Sequence, residues 1–98
     1  MNKRGMTIQK ASEIRKQKAL TPTKLEILRV SHNLSQGDLA AISGVPKRTI
    51  QCYEQRTRPI DGAHLSTLLD LCITLNCGIV DLLEDEELIQ KFDSVFWL

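Results

Sequence analysis

Lys47, Arg48 and Gln51 stand together in the stretch GVPKRTIQCYE, residues 44–54. A guanidinium or ammonium group suits the O6/N7 edge of guanine, and a glutamine amide can pair bidentately with adenine. Thr49 and Cys52 flank these three and extend the set that could meet bases or phosphates. On an isolated surface helix the same cations would simply be solvated. Only a setting that buries the opposite face and pushes this one into a groove gives them that chemistry. Glu54 closes the stretch near the apolar side, where a carboxylate has no obvious use.

No other chemistry competes. Paired carboxylates, a Ser/His/Asp grouping and a glycine-rich phosphate loop are all missing, so no enzyme activity and no cofactor are expected. His32 and His64 lack ligand spacing to any cysteine, and no metal site is expected. Cys52, Cys72 and Cys77 are an odd number with no CxxC pair, which speaks against a disulfide framework and for a reducing compartment. No apolar run approaches the roughly 18 residues of a membrane span. The basic N-terminus lacks the apolar core of a signal peptide. A cytoplasmic protein without membrane contact is expected.

The 98 residues are enough for one domain with a modest core. Net charge is only +1, but it is unevenly spread. Residues 1–24 carry seven cations against Glu13 alone, a net +6, and residues 84–98 carry five carboxylates against Lys91, a net −4. Both ends can be read as solvated surfaces; the basic one could also lie along DNA or a partner.

The elements that would position the 44–54 stretch can be read from caps and apolar spacing. Ile8, Ala11 and Ile14 predict a weak amphipathic helix after Thr7. Thr21 before Pro22 is a helix start signal, and Leu25, Leu28 and Ile27 give that helix an inner face ending at Asn33-Leu34. Ser35 with Asp38 has capping-box spacing, followed by Leu39, Ala40 and Ile42. Gly44 stops this helix, and Pro46 pre-sets the first turn of the next, whose inner face is Val45, Ile50 and Tyr53. After a loop over 56–60, Asp61 is expected to cap a longer helix with the stripe Leu65, Leu68, Leu69, Cys72, Ile73 and Leu75, closed at Asn76-Cys77-Gly78. A brief turn over 79–83 and a further helix over 85–96 complete an all-α chain.

Two short helices joined at Gly44 have the helix-turn-helix layout. The spaced residues Leu28-Arg29, Leu34-Ser35-Gln36, Asp38-Leu39-Ala40, Gly44-Val45, Thr49-Ile50 and Tyr53-Glu54 resemble the Cro/C1-type helix-turn-helix domain of the Xre family of phage and plasmid repressors. Leu65, Leu68, Leu75 and Asp81-Leu82-Leu83 fit its fourth and fifth helices. The resemblance covers residues 22–84. It implies a compact five-helix, lambda-repressor-like DNA-binding domain, with a basic arm over 1–21 and an acidic, then aromatic extension over 85–98.

The resemblance also implies roles. Gln36 would donate to a DNA phosphate at a helix N-terminus. Pro46, Lys47, Arg48, Thr49, Gln51 and Cys52 would face bases or phosphates, and Arg56 and Arg58 would reach the backbone from the adjacent loop. Arg29 and Glu54 would form a buried ion pair, which would explain the misplaced glutamate. The sequence departs from the pattern at Arg56, where relatives commonly carry glycine: either the helix ends differently or Arg56 is strained. Phe92, Phe96 and Trp97 put three of the four aromatics in the last seven residues. They either cover the chain's own core or form a dimer or partner interface. The expected function is a sequence-specific regulator, a repressor binding double-stranded DNA at an inverted repeat as a homodimer. The alternative is an antitoxin-type interaction module that neutralises a toxin protein and represses its own operon.

Overall fold

A computed structural model describes residues 21–96 of the chain. The helix expected after Thr7 and the basic arm lie outside the described residues, as does Trp97. Five α-helices follow one another: α1 (Lys24–Ser31), α2 (Gln36–Ser43), α3 (Lys47–Glu54), α4 (Leu65–Leu75) and α5 (Glu86–Phe96). Single 3-10 turns lie at Ile60–Gly62 and Ile79–Asp81. Among the described residues there is no strand, and the chain is all-α.

Chain chemistry sets most of the boundaries. Thr23, rather than Thr21, caps α1: its Oγ1 accepts the Glu26 N–H at 3.1 Å, and Pro22 lies outside the helix. Ser35 caps α2 in a reciprocal box, its hydroxyl accepting from Asp38 N and its own N–H donating to the Asp38 carboxylate, both at 3.0 Å. These two bonds, led by the backbone one, hold the Asp38 carboxyl below its ordinary range. Pro46 takes the cap position of α3 with ψ 138°, one residue earlier than its expected place inside the first turn.

Four helices end on a left-handed residue: Asn33 (φ 58°), Gly44 (φ 80°), Arg56 (φ 59°) and Asn76 (φ 50°). At Asn33, Arg56 and Asn76 the chain closes with the paired bonds of a Schellman motif. After α1, for instance, Asn33 N donates to Val30 O and Leu34 N to Arg29 O.

The core is built by one side chain or more from each of α1 to α4 and from the 79–83 turn. Leu25, Leu39, Ile50, Leu71, Leu75 and Leu82 are fully buried. Each such side chain contributes about 1.5–3 kcal/mol relative to exposure. Three expected inner faces need correction. Ile27 and Ile42 are exposed, and on α4 the buried row is Leu68, Leu71, Cys72 and Leu75 while Leu65, Leu69 and Ile73 face solvent. Seven of the eleven residues of α4 are apolar, so spacing alone left its phase open. Asp61 does not cap α4. His64 occupies that position without a side-chain bond, and Asp61 Oδ1 instead accepts the N–H groups of Glu84 and Asp85 at 2.9 and 3.0 Å. The expected turn over 79–83 contains a 3-10 turn at Ile79–Asp81, and the fifth α-helix is the one expected over 85–96.

Candidate nucleic-acid interface

Inner and outer faces of α3 are sharply divided. Val45 just before it, and Ile50 and Tyr53 within it, are buried. Pro46, Lys47 and Arg48 are exposed, while Thr49, Gln51 and Cys52 are half-buried around them. The three anchors fix the rotation of the helix, and that rotation turns the two cations of its first turn to solvent. Gly44 makes the preceding turn at φ 80°, with no atom within 4 Å of where a Cβ would stand. Its requirement is therefore conformational and not one of space.

The register of α3 against α1 is fixed by Glu54. Arg29 Nε donates to Glu54 Oε2 at 2.7 Å and Arg29 Nη2 to Oε1 at 2.9 Å, a bidentate fork. The side chains are only 12% and 4% exposed. The third guanidinium nitrogen, Nη1, donates to Leu34 O at 2.8 Å and holds the turn before α2. The hydrogen bond to Glu54 raises the Arg29 pKa above its ordinary value, against the opposing effect of burial. The carboxylate near the apolar side is thus a structural element of the domain.

Gln36, the first residue of α2, joins the same group: its Nε2 donates to Glu54 Oε1 at 3.0 Å. An amide NH2 has two donors. One is used internally and fixes the side chain, and the second can serve an outside acceptor such as a phosphate oxygen. The N-terminal end of α2, with its partial positive charge, adds to that preference.

Arg58 is exposed in the loop after α3, where its N–H donates to Cys52 O at 3.3 Å. Arg56 lies in the same turn after α3. Its backbone is left-handed, with φ 59°, the strained one of the two expected alternatives. Its Nη1 donates to Thr21 O at 2.8 Å and its Nη2 to Glu84 Oε1 at 3.1 Å. Sequence reasoning missed Glu84 and Asp61 as members of this group. Glu84 reads as one of a run of acidic residues, and nothing in its spacing marks a partner 28 residues away. Phe92 is half-buried on α5, and Phe96 is the last residue of that helix.

Burial of both Cys72 and Cys77 raises their thiols, Cys77 to about 12, so both are neutral thiols at pH 7. Cys77 N also donates to Cys72 O at 3.1 Å in the closing turn of α4. These two are packing groups. No helix among the described residues is long and apolar enough to cross a membrane.

Searches of the curated proteins and of the solved structures give no significant match. The family model described as the Cro/C1-type HTH DNA-binding domain matches residues 24–87. That span runs from the first residue of α1 to the first turn of α5 and holds the whole α2–turn–α3 unit. With the capped α2, the turn at Gly44, the buried anchors of α3 and its outward cations all inside the matched span, the chain belongs to the Cro/C1-type HTH DNA-binding domain family.

Proposed function

We propose that this DNA-binding chain is a sequence-specific transcriptional repressor that binds an inverted repeat as a homodimer, with α3 in the major groove. The observation that carries the reading is the division of α3: Ile50 and Tyr53 buried, Lys47 and Arg48 exposed on the first turn. In this docking mode the N-terminal residues of the second helix reach base edges. Lys47 and Arg48 read guanine or hold phosphate, Gln51 pairs with adenine, and Thr49 and Cys52 offer smaller contacts, Cys52 against a thymine methyl. Pro46 brings the turn close to the backbone, Gln36 donates its remaining N–H to a phosphate, and Arg58 meets the backbone beyond α3.

The functional unit spans residues 22–84, flanked by the basic arm over 1–21 and the extension over 85–98. Dimerisation falls to the C-terminal extension. Support comes from α5, where Leu88, Ile89 and Phe92 are only half-buried and Val95 is exposed. These side chains, together with Phe96 and Trp97, form the interface in this reading, and a two-fold pair matches a two-fold operator. The site of action is the cytoplasm.

The test is binding of the full chain to the DNA directly upstream of its own coding sequence, against a scrambled duplex, at about 150 mM salt. Wild type runs beside the Lys47→Ala/Arg48→Ala double variant. Selective binding that the double variant loses is the expected result. A folded wild-type protein that does not discriminate between the duplexes would refute the repressor reading and turn attention to a protein partner.

A further inference from the structure

Among the left-handed helix ends of the described residues, three use asparagine or glycine, and the recognition helix uses arginine. Asn and Gly visit that conformation most readily, so the arginine needs a separate reason. Its backbone completes the α3 ending: Arg56 N donates to Tyr53 O at 3.2 Å and Thr57 N to Cys52 O at 3.0 Å. Its side chain then reaches the carbonyl of Thr21 and the carboxylate of Glu84.

Glu84 is the centre of a clasp. Its Oε1 takes the Arg56 guanidinium, while its Oε2 accepts the backbone N–H of Lys24, the first residue of α1, at 3.3 Å. Lys24 Nζ donates to Val80 O at 3.3 Å. The N–H of Glu84 is in turn held by Asp61. The exit of α3, the start of α1, the 3-10 turn at Ile60–Gly62 and the entry to α5 therefore meet around one residue, Glu84.

We propose that Arg56 is a positioning residue for DNA recognition: through Glu84 and Thr21 it fixes the last turn of α3 and the loop that carries Arg58, and it does not itself contact DNA. The proposal rests on the reading of α3 as the recognition helix. Two physical points carry it. A guanidinium already paired with a carboxylate offers little net charge to a phosphate, and withdrawing it would leave the partly buried Glu84 carboxylate without its ion-pair partner. A loop ordered before binding also loses less conformational freedom when DNA arrives.

The test measures affinity of the full chain for the upstream duplex across a salt series, at a temperature well below every variant's melting point. Wild type is compared with Arg56→Gly, Arg56→Lys, Glu84→Gln and the Arg56→Gly/Glu84→Gln pair. Glycine suits the left-handed backbone, so Arg56→Gly keeps the helix end while removing the clasp. Binding about tenfold weaker than wild type, equivalent to about 1.4 kcal/mol of binding free energy, is expected for Arg56→Gly and for Glu84→Gln. The pair of changes loses no more than either alone, Arg56→Lys is weakened despite keeping its charge, and the slope of log K against log salt stays at the wild-type value.

A slope reduced by roughly one unit in Arg56→Gly, with full binding by Arg56→Lys and Glu84→Gln, would make Arg56 a phosphate contact and overturn the proposal. Lower melting temperatures with unchanged affinity would overturn it as well, leaving only a structural staple. Lys47→Ala serves as the control: if it binds like wild type, the α3 reading itself fails and the proposal falls with it, a result distinct from failure of the clasp variants alone.

Discussion

Replacing Glu54 by alanine removes the acceptor for three donors at once: Nε and Nη2 of Arg29 and Nε2 of Gln36. Arg29 keeps its bond to Leu34 O and a 3.9 Å approach to the more exposed Glu26, so its charge is left largely uncompensated between α1 and α3. Breaking a buried pair by removing one partner costs about 3–5 kcal/mol. Because Arg29 is 12% exposed, some water can reach it, and the expected loss is near the lower end, about 3 kcal/mol. For a domain of this size about 1 kcal/mol moves the melting temperature by roughly 4–8 °C, so the drop should exceed about 12 °C.

The assay is urea and thermal unfolding followed by circular dichroism, with the m-value checked for constancy. Arg29→Met, Glu54→Leu and the two combined form a double-mutant cycle. Replacing both charges by apolar groups should recover much of the loss, since no unpaired charge remains. A Glu54→Ala protein melting within about 2 °C of wild type, or a coupling energy below about 0.5 kcal/mol, would refute the structural role given to this carboxylate.

Other expectations follow from the same geometry. Gly44→Ala should destabilise by about 1–2 kcal/mol through its left-handed backbone alone, and Gly44→Asn by less, as chemical unfolding would show. Cys77 has a folded-state pKa of about 12 against about 9 for an ordinary thiol, so between these values the unfolded chain loses a proton that the native one keeps. Stability should therefore fall as pH rises from 9 to 12, and a Cys77→Ala protein should show a shallower fall in unfolding scans at fixed pH. Removal of residues 92–98 should lower the molecular mass seen in sedimentation from dimer to monomer; an unchanged mass would place the interface elsewhere. If a dimer neutralises about 6–10 phosphates, affinity should drop roughly 10³–10⁵ between 50 and 200 mM salt.

Much of the candidate site was legible because its signals are local. Ser35 and Asp38 announce the start of α2 three residues apart, Gly44 announces its end, and Ile50 and Tyr53 share one face of α3, which leaves Lys47 and Arg48 outward. A cap is a bond between neighbours in the chain, and helical phase needs only a few residues once both ends are set. The pairing of Arg29 with Glu54 came from resemblance to a family, since no local rule links residues 25 apart.

Tertiary packing decided the rest. The sequence by itself determined an all-α chain with a helix pair turning at Gly44 and two cations at the head of the second helix. It could not choose which side of the largely apolar α4 faces inward, because that choice depends on what Leu68 and Leu71 meet across the core. It could not tell that Asp61 holds the entry to α5 instead of the start of α4, or that Arg56 turns to Glu84. A carboxylate satisfies whichever donors the folded chain brings within hydrogen-bond reach, and only three-dimensional proximity decides which those are.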